Sequence, residues 1–279
     1  MIKNEGGFTI LETMIVMIVT SVMLVSTMAT FSGQHKKTQF AQALRDLESK
    51  FDDIANDVST GYFPNSNSIS CSAVGVSEPN ISAVSTEQGA NYDCIFLGKA
   101  VVLHDGGSDN FSLQIYPIVG NRNAGSLSGA TFGSTRPKAV GQLVEEKSLL
   151  YGTRIKSIQR VVSGASLNGS GALIVIASTP NGTGATLGGG FNSGLQRINA
   201  YSSGSGGVSI SMTSTVSDTE VTSSMQSVGL VWPASDVVLC LESDPGTGLN
   251  RSYGGIVVSG GQNGVSARLQ LPADGVQCT

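Results

Sequence analysis

The 279-residue sequence predicts an α+β fold, with one long N-terminal helix packed on an antiparallel β-sheet domain. Three observations carry this. Phe8 to Phe31, "FTILETMIVMIVTSVMLVSTMATF", is an apolar run with one charge, Glu12, and neither Pro nor Gly. Beyond it, Phe40, Leu44, Leu47, Phe51, Ile54 and Val58 recur at spacings of 4, 3, 4, 3 and 4, the period of an amphipathic helix. The remainder consists of short runs rich in β-branched residues, in a chain with 36 Gly and only 13% charged residues against a usual value of about 25%.

As a helix, 8–31 extends about 36 Å, enough to span a bilayer with some tilt. A secretory signal peptide has a shorter apolar region of about 7 to 15 residues and a small-residue cleavage site, which Thr27-Met28-Ala29 matches poorly. A plain anchor gives Glu12 no role. An acid at the centre of a membrane helix costs about 2.5 to 3.5 kcal/mol, so something must offset that charge or use it.

The polar leader "MIKNEGG" followed by "FTILE" resembles the class III leader of type IV pilins, type II secretion pseudopilins and competence pilins. The resemblance implies a pilin-like fold and a leader peptide at 1–7. It also implies cleavage between Gly7 and Phe8 by a prepilin peptidase on the cytoplasmic side, and N-methylation of the new Phe8 amine. Glycine at position 7 presents no side chain to obstruct a protease. Cleavage would create a cation at Phe8, four residues before Glu12 and on the same helix face, near the positive end of the helix dipole. In the family the corresponding acid meets the amine of an adjacent subunit, so Glu12 is the expected assembly residue. Many major pilins interrupt this helix with proline, whereas here none precedes Pro64. The implied partners are the prepilin peptidase, other pilin subunits, the pilus or secretion assembly platform, and the plasma membrane. The implied location is a single-pass membrane protein with an extracytoplasmic head, reaching the pilus or cell surface after assembly.

Residues 32–60 continue the helix. "QALRDLESKFDDIANDV" fills the faces beside the seam with charge, and these residues, Asp52 and Asp53 included, read as solvated. Gly61 and Pro64 supply the stop. With Gly33 tolerated, one helix of about 50 residues and 75 to 80 Å results. Residues 61–279 form the β-rich domain. Expected strands are Ile95 to Leu103, Phe111 to Val119, Leu173 to Ala177, Val208 to Met212, Gly229 to Trp232, Val237 to Leu241, Gly255 to Ser259 and Val265 to Leu271. "GGQNG" between the last two predicts an antiparallel hairpin. A helical turn is expected around Gln142 to Leu150. Ser163 to Ser227, rich in Gly, Ser, Thr and Asn, reads as surface loops or a partly disordered insertion.

Cys71, Cys94, Cys240 and Cys278 allow three pairings and lack the close spacing of metal or redox motifs. Disulfides are expected outside the cytoplasm. Pairing of sequence neighbours, 71 with 94 and 240 with 278, would add about 3 to 4 kcal/mol each in the chain-entropy model. No cofactor or metal is implied. The acid-rich "DGGSDN" lacks calcium-loop spacing, and His104 has no nucleophile elbow near it, so an enzyme is not expected. The net charge of −4 leaves nucleic-acid binding to a local patch. The tail is similar to the last hairpin and terminal cysteine of minor pilins related to pseudopilin H, some of which bind DNA; Arg251 and Arg268 flank it. The leading expectation is a minor pilin or pseudopilin, its head larger than a typical major pilin's, serving adhesion to a surface ligand or assembly priming. The alternative is a DNA-uptake pilin using Arg251 and Arg268.

Overall fold

The computed structural model describes residues 9–63, 69–84, 93–105, 111–124, 132–160, 166–167, 172–178, 196–202, 216–227, 236–243, 252–261, 264–269 and 278. The chain divides into two units, Met1–Gln42 and Ala43–Thr279. Helix α1, Ile10–Thr60, runs through the described part of the first and begins the second. Gly33 lies within it, at a cost of about 1 kcal/mol relative to alanine.

In the second unit α1 ends on a left-handed Gly61 (φ 67°), where the Tyr62 N–H donates to the Asp57 carbonyl at 2.9 Å. This wrap-around bond is the glycine stop that the sequence suggests. Ala43, Leu47, Phe51, Ile54, Ala55 and Val58 are buried, while Leu44 is half-buried. The seam is thus wider than the expected stripe and takes in two alanines.

The strands are β1 (Ser70–Ser72), β2 (Asn80–Ser82), β3 (Cys94–Asp105), β4 (Phe111–Asn121), β5 (Lys138–Ala139), β6 (Glu145–Ser148), β7 (Arg154–Arg160), β8 (Ser166–Leu167), β9 (Ala172–Ser178), β10 (Gln196–Ser202), β11 (Val237–Glu242), β12 (Tyr253–Gly261) and β13 (Gly264–Leu269). A second helix, α2, runs Asp218–Ser227. β1 and β2 form a small ribbon. The larger sheets have orders β10-β9-β3-β4-β5, with β6 also on β4, and β13-β12-β11-β7-β8. All pairings are antiparallel. β10 runs against β11, β12 and β13, which brings the two sheets together.

The six-stranded sheet is covered on both faces. Ala100, Val102, Tyr116, Ile118, Leu173 and Val175 join Val221 and Met225 of α2 in one cluster. Residues alternate across a strand, so Lys99, Val101 and Ile176 lie on the opposite face. There Lys99 meets Asp57 of α1. Cover on both faces explains why β9 is buried at every position from Leu173 to Ala177. In β3 a bulge at Phe96–Gly98 resets this alternation. A side chain at Gly98 would put its Cβ 2.1 Å from the Ile176 carbonyl oxygen, so β3 and β9 can approach here only at glycine. Pro117, which has no N–H to give, lies on β4 where the outer pairing passes from β6 to β5.

Three expectations change. The helical turn or short helix expected around Gln142 to Leu150 is present as 3-10 turns at Gly141–Leu143 and Leu150–Gly152, but the residues between them form β6, paired with Ser112 to Ile115; tertiary pairing there overrides the helix preference of Glu and Lys. Ser163 to Ser227 is not all loop: it carries β8, β9, β10 and α2, of which β9 is interior. The acidic face of α1 is not uniformly solvated, since Asp57, half-buried, pairs with Lys99 at 2.7 Å; Asp52 is exposed as expected, and it also accepts from the Ala267 N–H at 2.9 Å. Asp53 is exposed as expected. The GGQNG hairpin joins β12 to β13 with Gly261 opposite Gly264. Val208 to Met212 and Gly229 to Trp232 lie outside the described residues.

Candidate functional site: the start of the N-terminal helix

α1 begins on a threonine cap. Thr9 precedes the first helical residue, and its Oγ1 accepts from the Glu12 N–H at 3.3 Å, as its carbonyl does at 3.0 Å. Glu12 therefore occupies the third helical position, where a glutamate can reach back to the cap N–H and complete a capping box. It does not do so: among the described residues the Glu12 carboxylate has no partner, and it is exposed. What holds it in place electrostatically is its position in the first turn, at the positive end of the helix dipole.

The helix that follows is apolar and bare. Ile10–Met28, 19 residues of mean hydropathy 2.0, is long and apolar enough to cross a membrane, and none of it is buried. Its length is about 28 Å, close to the hydrocarbon thickness of a bilayer. Its hydroxyls are turned inward on the helix. Thr13 donates to the Ile10 carbonyl at 2.8 Å, Thr20 to Val16 at 2.9 Å, Ser21 to Met17 at 2.7 Å and Thr27 to Leu24 at 2.9 Å. Such back-bonding satisfies these polar groups without water, as a hydrocarbon surrounding requires. Glu12 is the one charged residue in the span.

The Thr9 cap is the functional detail that spacing alone leaves unstated; its signal is the Thr-x-x-Glu of "TILE". Gly7 and Phe8, the expected cleavage pair, lie outside the described residues, as does Arg251. Arg268 is exposed on β13, opposite Val257, and so has no second cation across the ladder. The cysteines pair as Cys71–Cys94, tying β1 to the start of β3, and Cys240–Cys278, tying β11 to the end of the chain. His104 stands opposite Ser112 in the β3–β4 ladder, and its side chain lies outside what is described.

A second concentration of charge, with no short-range motif to mark it, lies inside the second unit. Lys99, 1% exposed, ion-pairs Asp57 at 2.7 Å and approaches Glu145 at 3.9 Å. On the other face Tyr116 donates its hydroxyl to the Val216 carbonyl, just before α2, and burial pushes its pKa up, with Asp218, Glu220 and Glu146 adding to the effect. Among the described residues no cluster of His, Cys, Asp and Glu is arranged to hold a metal. Lys99 and Asp57 pair with each other, whereas the carboxylate at the head of α1 has no partner among the described residues. Compared with models of protein families, with curated proteins and with solved structures, the chain matches none.

Proposed function

We propose that the chain is a structural subunit of a type IV pilus-like fibre, a minor pilin or pseudopilin, processed between Gly7 and Phe8 and assembled through its N-terminal helix. The observation that carries this reading is a carboxylate, Glu12, that has no partner among the described residues and stands at the start of a helix whose next turns are bare and apolar. Apolar surface on this scale requires a cover, the bilayer before assembly and neighbouring helices after it. The carboxylate then meets the Phe8 amine of an adjacent subunit, which offsets its cost in an apolar surrounding. The disulfides are consistent with an extracytoplasmic head, and the large region after residue 60 favours a minor subunit with an adhesive or priming role.

Mass spectrometry of the protein from membranes tests the reading. The expected N-terminus is Phe8, carrying the mass of one added methyl group; an intact Met1, or a start near Thr30, overturns it. The DNA-uptake role rests on Arg251 and Arg268 alone. Salt-dependent DNA binding by the full chain, lost in Arg268→Ala, would move the reading there.

A further inference from the structure

Three side chains of α1 tie it to strands of both large sheets. Lys50 donates to the carbonyl of Ser148, the last residue of β6, at 2.9 Å, Asp52 accepts from Ala267 on β13, and Asp57 pairs with Lys99 on β3. Between these ties runs the apolar seam, whose members recur about once per turn, so the seam by itself tolerates a slip of the helix along its axis. Consider a displacement in which each residue is replaced by the one four positions later. Phe51, Ala55 and Val58 would then occupy the places of Leu47, Phe51 and Ile54, so these places would still meet apolar groups, while Ser59 would take the place of Ala55 and the helix would have to run on past Gly61 to bring Tyr62 to that of Val58. Lys99, however, would face Gly61 in place of Asp57, and Ala267 would face Asn56 in place of Asp52. The buried ammonium would be left with Glu145 at 3.9 Å. A buried charge deprived of its partner is strongly destabilising.

The opposite displacement reverses the fault. Asp53 would reach Lys99 and Glu48 would reach Ala267, so both ties would be met by carboxylates. Lys50 would then fall in the place of Ile54, which is 1% exposed. The charged ties oppose the first slip most strongly, and the apolar seam opposes the second. We infer that Lys99, with Asp57 and Asp52, is a register lock that selects which turns of α1 the two sheets cover. Buried ion pairs serve this specifying role better than they serve stability. The lock is independent of the assembly reading, because it operates entirely within residues 43–279.

A benzophenone amino acid placed at Ser266, exposed on β13 beside the Asp52 contact, reads the register in the full-length protein in detergent. In the wild type, photo-insertion is expected in α1 at and around Asp52. The Asp52→Ala, Lys99→Met protein lacks both ties and leaves no buried charge, since Asp57 is 31% exposed. It is expected to add a second set of insertions shifted by four residues, around Asn56. Insertions confined to the neighbourhood of Asp52 would overturn the inference. If that protein does not fold, the Gln39→Ala, Lys50→Leu protein carries the test, because the second slip also brings Gln39 to the buried place of Ala43. It opens the other slip, so a second set around Glu48 is expected, and its absence overturns the lock.

Discussion

The two α-helices among the described residues start with the same local device, yet use it differently. At α2, Ser217 is the cap and Glu220 the third helical residue: the Glu220 N–H donates to Ser217 Oγ at 3.3 Å, and the Glu220 carboxylate accepts the Ser217 N–H at 3.0 Å. The box is closed in both directions. At α1, Thr9 and Glu12 make only the first of these bonds, and the carboxylate stays free among the described residues. A closed box consumes its glutamate in holding the helix end. An open one leaves a charge available, and here that charge heads a bare apolar helix rather than a buried one. The motif therefore does not decide the role; what surrounds the helix does.

The largest expected effect comes from removing each glutamate and reading assembly. Glu12→Ala should leave membrane insertion intact, because it makes the span more apolar, and reduce incorporation into fibres by more than about tenfold, as loss of one partner of a desolvated charge pair does. Glu220→Ala should leave incorporation near the wild-type level if α2 still forms. Copies of each variant in purified fibres, measured against total membrane-inserted subunit, give both numbers. Equal incorporation of Glu12→Ala and wild type would make α1's box an ordinary cap.

A smaller effect is expected beneath the closed box. The Tyr116 hydroxyl holds the Val216 carbonyl at the approach to α2, so Tyr116→Phe should cost about 1 to 2 kcal/mol by leaving that buried acceptor unsatisfied. The phenol's pKa is raised by burial and by Asp218, Glu220 and Glu146. The folded state thus keeps its proton at a pH where the unfolded chain has lost it. The resulting stabilisation is complete below the unfolded value of about 10 and declines as pH rises from there towards the folded pKa. Denaturant melts between neutral and strongly alkaline pH should show wild type losing stability over that upper range, and Tyr116→Phe losing less. Parallel curves would remove the tyrosine from the alkaline response.

Much of the molecule could be read before its coordinates. The course of α1 was visible because its seam repeats at 3 and 4 residues, β3, β4, β9, β11 and β12 because β-branched residues run together in them, and β13 because the GGQNG turn precedes it. β6 was hidden by helix-favouring Glu and Lys, whose strand state comes from β4, some thirty residues earlier in sequence. α2 was hidden by its Ser and Thr content; Val221 and Met225, four apart, were its apolar signal. Lys99 was visible as a lone cation in "LGKAVVL", but the partner that makes its burial tolerable lies 42 residues away on another element. At the candidate site the position of Glu12 was legible. That its carboxylate is not spent on the cap was not, because this depends on which of two bonds a capping box makes.

The smallest effects test the caps themselves. Ser217→Ala removes both hydroxyl bonds of the closed box and should cost about 1 kcal/mol of global stability, because α2 is packed on the six-stranded sheet and its fraying exposes Val221 and Met225. Thr9→Ala removes the matching bond at α1, but in a segment that buries nothing within the chain, so the loss should remain local. Hydrogen exchange should show it as faster exchange in the first turn alone, the only turn whose amides depend on the cap, with the melting midpoint unchanged. A fall in melting midpoint equal to that of Ser217→Ala would mean that the start of α1 is coupled to the fold as tightly as α2. The contrast between a helix end that serves the fold and one kept for a partner would then fail.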